Sequence, residues 1–342
     1  MNNHELESIA RTIVAPGRGI LAADESFPTI KKRFTAINIE STEENRRVYR
    51  EMLFTTPGVE EFISGVILFD ETIRHAATGG APFTKVLSDK GIFPGIKVDK
   101  GTVDLAGFPG EKITEGLDGL RQRLAEYHQL GAKFTKWRSV ITIRERIPTS
   151  YCLAANAHGL AQFAALTQEA GLVPIVEPEV LMDGDHTLER CEEVTTATLE
   201  AVFAALHQAG VHLEGTLLKP NMVLSGKSCL VQAGVAEIAE ATIRCLKRTV
   251  PAAVPGIVFL SGGQTPAQAT ENLSAMNSIG GFPWQLSFSY GRALQDEAIK
   301  AWAGQAANVV TAQKRFYRRS KMNGAARYGK YTKDMEAVPA QI

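Results

Sequence analysis

Eight short, largely apolar runs recur along a chain of 342 residues, at residues 19–24, 65–70, 95–99, 134–140, 173–179, 215–219, 256–261 and 284–290. Continuous apolar runs of this length read as strands buried on both faces. Helical patterns fill most of the intervals, at 116–130, 153–170, 188–209, 235–250, 266–279 and 292–302. An earlier helix is expected to open at a capping box, Ser41-Thr-Glu-Glu44, and to run to about Leu53. The interval after Asp70, with Gly79, Gly80 and Pro82 in its middle, has the poorest helical pattern. Buried strands alternating with helices build a parallel sheet, and eight such units point to an α/β fold, the (β/α)8 TIM barrel. A doubly wound sheet accommodates the same alternation, but no glycine-rich dinucleotide turn follows the first strand. With no Ser/Gly-rich linker or charge block to divide it, the chain is expected to form a single barrel domain over 1–342. An N-terminal helix precedes the barrel, and 303–342 follow as a C-terminal helix and tail.

Composition excludes several kinds of partner. Lysine plus arginine equal aspartate plus glutamate at 37 each, so no global field draws the chain to nucleic acid or to an anionic membrane, and anion binding must be local. Cys152, Cys191, Cys229 and Cys245 have no CxxC spacing and fit structural thiols in a reduced compartment. Residues 1–14 are polar and helix-like, without the features of a signal sequence, and no apolar stretch approaches twenty residues, so a cytoplasmic location is expected. The histidines show no HxH or HExxH spacing, and Asp183-Gly-Asp-His186 lacks the full calcium-loop pattern and reads as a helix-capping turn. Neither a metal nor a cofactor is expected.

In a barrel the active site lies at the C-terminal ends of the strands. Those ends here carry Asp24, Asp70, Lys97 with Asp99, Lys136 with Arg138, Glu177 with Glu179, Lys219, Ser261-Gly-Gly and Ser289-Tyr-Gly-Arg292. One such residue alone fits a solvated strand mouth or a structural ion pair. Lys219, at the last strand position before Pro220, fits a lysine that snorkels to water. Converging buried charges, however, must be paired or ligand-bound. Residues two apart on a strand share a side, so Lys136 joins Arg138 and Glu177 joins Glu179 inside the barrel. A lysine acts as a nucleophile near neutrality only if its pKa falls by about three units, which costs roughly 4 kcal/mol. A neighbouring ammonium such as Lys136 pushes an amine that way, so Lys219 becomes a candidate for attack on a carbonyl.

Ser261-Gly262-Gly263 offers backbone N–H groups to an anion after the seventh strand, and Arg292 at an expected helix start adds a bidentate cation. A second cationic set, Lys97, Arg138, Arg33 and Arg46, comes from other elements of the mouth, although Arg33 and Arg46 equally fit surface helix positions. Two separated sites suit a substrate with two phosphates.

With these residues in hand, the sequence resembles the class I fructose-1,6-bisphosphate aldolases from about Gly19 to Trp302. The matching blocks are Gly-Ile-Leu-Ala-Ala-Asp-Glu-Ser26, Thr42-Glu-Glu-Asn-Arg-Arg47, Gly-Val-Ile-Leu-Phe69, Gly-Ile-Lys-Val-Asp-Lys-Gly101, Lys136-Trp-Arg138 and Ile-Val-Glu-Pro-Glu179. Leu-Glu-Gly-Thr-Leu-Leu-Lys-Pro-Asn-Met222, Phe-Leu-Ser-Gly-Gly-Gln264 and Phe-Ser-Tyr-Gly-Arg-Ala293 complete them in order. The resemblance implies a TIM barrel, usually a homotetramer, that cleaves fructose 1,6-bisphosphate reversibly without metal. It implies Lys219 as the Schiff-base lysine, Glu177 as the proton-transfer residue, and Asp24, Lys136 and Glu179 as supporting charges. It places phosphate contacts at Ser261, Gly262, Gly263 and Arg292 on one side, with Ser289 among the substrate-binding candidates, and at Arg33, Lys97 and Arg138 on the other. The family often has Thr-Gly-Ser where this chain has Phe27-Pro28-Thr29, so Pro28 stiffens the loop and Thr29 takes the serine's place. Animal members end in a tyrosine that assists proton transfer. Here the last residues are Val-Pro-Ala-Gln-Ile342, with Tyr328 and Tyr331 upstream, which leaves that proton to another group or a water. Two other readings compete: the same chemistry mainly on sedoheptulose 1,7-bisphosphate, and a non-catalytic scaffold using the basic stretch from Lys314 to Lys333.

Overall fold

The computed structural model describes residues 3–337. Among the described residues eight parallel strands close into a barrel. The first three are β1 (Gly19–Ala23), β2 (Ile63–Leu68) and β3 (Phe93–Lys97). An antiparallel hairpin of β4 (Thr102–Asp104) and β5 (Lys112–Thr114) follows outside the ring. Then come β6 (Phe134–Ile141), β7 (Val173–Val180), β8 (Leu217–Leu218), β9 (Gly256–Phe259) and β10 (Gln285–Tyr290), the last pairing back onto β1. All eight expected runs are present. The hairpin is the addition: its strands are only three residues long, β4 exposed throughout and β5 half-buried with Thr114 inside, too short to show an apolar period.

Helix α1 (Asn3–Ile13) precedes the barrel. Helices α2 (Phe27–Thr35), α3 (Glu43–Phe54), α4 (Asp70–Ile73) and α5 (Phe83–Asp89) fill the first two crossovers. Outside the later strands run α6 (Leu120–Gln129), α7 (Ser150–Glu169), α8 (Leu188–Gln208), α9 (Val235–Thr249), α10 (Pro266–Ile279), α11 (Arg292–Trp302) and α12 (Val309–Ala326). Their starts follow capping chemistry: Thr149, Thr187 and Thr265 each accept the N–H three residues on, and Gln268 returns the bond to Thr265. Such a cap contributes about 1 kcal/mol. At α3 the cap is Thr42, which accepts from the Asn45 N–H at 3.1 Å, one residue later than the expected box at Ser41. That shift puts Glu43 and Glu44 together in the first turn, beside the positive end of the helix.

The barrel interior has two halves. At the N-terminal end Ile20, Ile67, Phe134, Val173, Ile175, Leu217 and Val258 form an apolar plug. Helix α1 closes it from below with Leu6, Ile9, Ala10 and Ile13, spaced along one face. Phe134 fits because its neighbours lack side chains: a Cβ at Gly95 would fall 2.3 Å from its ring, and one at Gly65 3.0 Å. The other half carries charge and is described below.

The basic C-terminal stretch is in part turned inward. Arg319 on α12 pairs with Glu297 of α11 and with Glu336, both at 2.7 Å. Buried Arg327 donates to the backbone carbonyls of Val14, Ala15, Arg18 and Leu286, and burial among these acceptors pulls its pKa down to about 10. Tyr331 donates to Glu336 at 2.8 Å, and Tyr328 packs beside Gly17 near the start of β1. The final residues, 338–342, on which the expected lack of a terminal tyrosine falls, lie outside the described residues. No described helix is long and apolar enough to cross a membrane.

Candidate active site

Alternation along β6 and β7 creates the charged half. On β6, Thr135 bonds to Thr167 and Trp137 stacks on Phe163, both on the covering helix α7. Lys136 and Arg138 therefore turn inward. Parallel register brings Val176 level with Leu218, so the next residues, Glu177 and Lys219, stand side by side; the Lys219 N–H donates to the Val176 carbonyl at 2.8 Å.

Three buried side chains then make a short chain of charge. Lys219 Nζ lies 3.1 Å from one oxygen of Glu177, and Lys136 Nζ lies 3.2 Å from the other. Lys136 also lies 2.7 Å from Asp24 and 3.9 Å from Asp99. Lys219, Lys136 and Glu177 are each 3–4% exposed. Burial works against the ionised form of Asp24, but Lys136, then Lys219 and Lys97, outweigh it and hold the carboxyl below the ordinary carboxylate range. Burial likewise opposes the charge on Lys136, and Asp24, Glu177 and Asp99 overcome it, raising that ammonium above the ordinary lysine range. The arrangement fixes one lysine as a permanent cation and sets a second beside the same carboxylate.

Around this floor opens a cavity of about 1040 Å³. Asp24, Thr29, Arg33, Lys97, Lys136, Arg138, Glu177, Glu179, Lys219, Ser261, Gly262, Gly263, Ser289 and Arg292 all line it. On one side the Gln264 N–H closes a turn onto the Ser261 carbonyl at 3.0 Å, with Gly262 at φ 54° and Gly263 at φ 83°. Those two positive angles suit glycine. Among the described residues, neither glycine N–H meets a backbone acceptor. Arg292 is steadied by a 3.1 Å bond to the Gln264 carbonyl, at the start of α11 as expected. Ser289 Oγ is buried without a hydrogen-bond partner among the described residues.

Lys97 and Arg138 stand apart from that side, on β3 and β6. Arg33, expected with them, reaches the Arg292 side instead: a Cβ built on Gly291 would lie 3.6 Å from its Nη2, because α2 follows β1 and β1 pairs with β10. Lys97 pairs with Asp99 at 2.5 Å, and Arg138 with Glu179 at 2.5 Å. Burial disfavours the Arg138 charge, but Glu179 and Glu177 outweigh it and raise its pKa. The segment Phe27-Pro28-Thr29 differs from expectation: it forms the first turn of α2, with Pro28 where its missing N–H costs nothing. Thr29 Oγ1 lies 3.2 Å from Ser26 Oγ at the rim.

Arg46 is the one expected contact that the fold places outside the main cavity. Its guanidinium grips Glu71 at 2.7 and 2.5 Å and covers the Phe27 ring, 4.8 Å from the centroid. Position on α3 faces it to a neighbouring depression lined by Phe27, Pro28 and Ser41, not to the main cavity. Two residues gain weight in its place. Asp99 accepts the Arg138 N–H at 3.2 Å and joins Lys97 to Lys136; its position two after Lys97 was the available signal. Glu25 is 4% exposed at its side chain, pairs with Arg33, and meets Arg50 at 2.6 Å and Gln295 at 2.9 Å. A carboxylate directly following Asp24 hinted at it, but its partners come from α2, α3 and α11.

The family model described as "Glycolytic: Fructose-bisphosphate aldolase class-I" matches residues 5–341. A "Probable fructose-bisphosphate aldolase class 1" of Xanthomonas campestris is 59% identical over 332 residues, covering 97% of this chain and 99% of the relative. "Fructose-bisphosphate aldolase 4, cytosolic" of Arabidopsis thaliana is 52% identical, covering 98% of this chain and 86% of its own. In three dimensions the chain superposes on fructose-bisphosphate aldolase from Plasmodium falciparum with a TM-score of 0.95 and 48% identity, over 96% of this chain and 95% of that one. A family model over residues 5–341, and relatives similar over nearly the whole chain, place the chain in the class-I fructose-bisphosphate aldolase family.

Proposed function

We propose that Lys219 carries out reversible aldol cleavage of fructose 1,6-bisphosphate, giving dihydroxyacetone phosphate and glyceraldehyde 3-phosphate. The carrying observation is Glu177 between two buried lysines, 3.1 Å from Lys219 and 3.2 Å from Lys136. The neutral Lys219 amine adds to the C2 ketone, forming a carbinolamine, and loss of water leaves a cationic iminium. Glu177 takes the proton that Lys219 sheds and returns it to the carbinolamine hydroxyl so that water leaves, then as carboxylate takes the C4 hydroxyl proton. The C3–C4 bond breaks, its electrons neutralise the iminium as an enamine, and glyceraldehyde 3-phosphate departs. Protonation at C3 and hydrolysis of the regenerated iminium release dihydroxyacetone phosphate and the amine.

Lys136 balances the Glu177 charge, and Asp24 holds Lys136 in place at 2.7 Å. Glu179 orients Arg138. One phosphate is seated on Ser261, Gly262, Gly263 and Arg292, near C2, with Arg33 beside Gly291; the other meets Lys97, Arg138 and Thr29. Ser289 offers its free hydroxyl to the substrate. The same reading treats the chain as one domain and its assembly as a homotetramer in the cytoplasm, by likeness to its family. Light scattering at micromolar protein gives the subunit number.

Reductive trapping tests the chemistry. Borohydride added with dihydroxyacetone phosphate should inactivate the protein and leave a three-carbon phosphate adduct on the peptide containing Lys219. Inactivation without label at Lys219 would remove the mechanism.

A further inference from the structure

We propose that Lys227 is a further phosphate-binding residue, serving the turn Ser261-Gly262-Gly263 from beside Gly263 and tethered to Asp183 while the turn is empty. The inference rests on the reading of that turn as the seat of one substrate phosphate. A phosphate monoester carries about 1.5 to 2 negative charges near pH 7. Arg292 supplies one full positive charge there, and backbone N–H dipoles supply only partial ones. Arg33 approaches Gly291, 3.6 Å from a Cβ built there, but its charge is committed to buried Glu25, so a more weakly paired cation is wanted within reach.

Lys227 is placed there by backbone rather than by chance. The loop after β8 folds back along the loop after β7: the N–H groups of Gly226, Lys227 and Ser228 donate to the carbonyls of His186, Met182 and Gly184, each at 2.8 Å. The approach is so close that a Cβ at Gly226 would lie 2.4 Å from the Gly184 oxygen. With its main chain fixed, the lysine side chain runs to Gly263. A Cβ built on Gly263 would lie 3.0 Å from Lys227 Cε and 3.1 Å from its Nζ. The ammonium thus stands against Gly263, which itself lines the cavity.

The tether is a weak one. Lys227 Nζ meets Asp183 Oδ1 at 2.7 Å, but the side chains are 47% and 65% exposed, so water competes for both partners. A multiply charged phosphate seated on the turn is the stronger acceptor, and a four-carbon stem can swing to it without moving the backbone.

Steady-state kinetics with fructose 1,6-bisphosphate, and competitive inhibition by inorganic phosphate, test the assignment. Lys227→Met should raise KM about fivefold and weaken phosphate inhibition to a similar degree, with kcat within about twofold of the parent. Lys227→Arg should restore both, and Asp183→Asn should lower KM about twofold by freeing the ammonium. Unchanged KM and phosphate inhibition in Lys227→Met, alongside large increases in Arg292→Ala, would overturn the role of Lys227 and leave the turn's assignment standing. Unchanged values in both variants would overturn the turn as a phosphate seat, and the inference with it. A fall in thermal stability of Lys227→Met with neither constant moved would assign the lysine to loop packing alone.

Discussion

The two ends of one barrel are built on opposite principles. At the N-terminal end, Phe134, Ile175, Leu217 and Val258 meet helix α1 without a charged side chain among them, and glycines at 65 and 95 make room for one aromatic ring. A few residues along the same strands, Lys136, Glu177 and Lys219 are equally buried but pair with one another, with Asp24 and with Asp99. Apolar burial contributes stability without direction. Buried ion pairs contribute little net stability, because desolvation consumes most of the attraction, yet they hold charges at set distances. The same strands thus carry a stabilising half and a half that accepts instability in exchange for geometry.

The largest expected effect falls on the charged end. Lys219→Ala should lower kcat by about 10⁴-fold or more, while urea unfolding shifts little, because Glu177 keeps Lys136 as a partner. A variant retaining a tenth of the parental kcat would erase the distinction between the ends. Phe134→Ala should do the converse, costing about 3–5 kcal/mol in urea denaturation with kcat of the folded fraction nearly unchanged. Gly95→Ala drives a methyl into the Phe134 ring and should cost about 1–3 kcal/mol. Combining it with Phe134→Leu should recover part of that loss, and strictly additive losses would mean that the ring and the glycine do not share the space.

The smallest effect separates the ends by pH. Asp24 has a lower pKa folded than unfolded, so its contribution is present above the unfolded carboxylate value of roughly 4 and is lost as pH falls through the folded value. Lys136 has a raised pKa, so its contribution is present below the unfolded value of roughly 10.4 and is lost as pH rises through the folded one. The apolar plug titrates at neither limit. Asp24→Asn should flatten the loss of stability below about pH 4 in acid unfolding curves; an unchanged acid limb would place the sensitivity elsewhere.

Strand alternation made much of this visible in the sequence. Period-two spacing paired Lys136 with Arg138 and Glu177 with Glu179, and the strand ends named the cavity's floor, because those rules act within one strand. Arg46 eluded them, since the face that α3 turns to the barrel depends on its packing, and Glu71 claimed the guanidinium. Glu25 was passed over for the same reason: its partners Arg50 and Gln295 are 25 and 270 residues away. The hairpin of β4 and β5 left no trace because three-residue strands are too short to carry a burial period.

Arg327 has a consequence for how such a molecule comes into being. The junction of β1 with β10 is held by just two registered residue pairs, and Arg327 ties carbonyls from both sides of it, at Arg18 and at Leu286. That residue leaves the ribosome after every barrel strand has emerged. The bonds that Arg327 makes across that junction can therefore form only after all eight barrel strands have been made, so the seal depends on a residue that no strand contains.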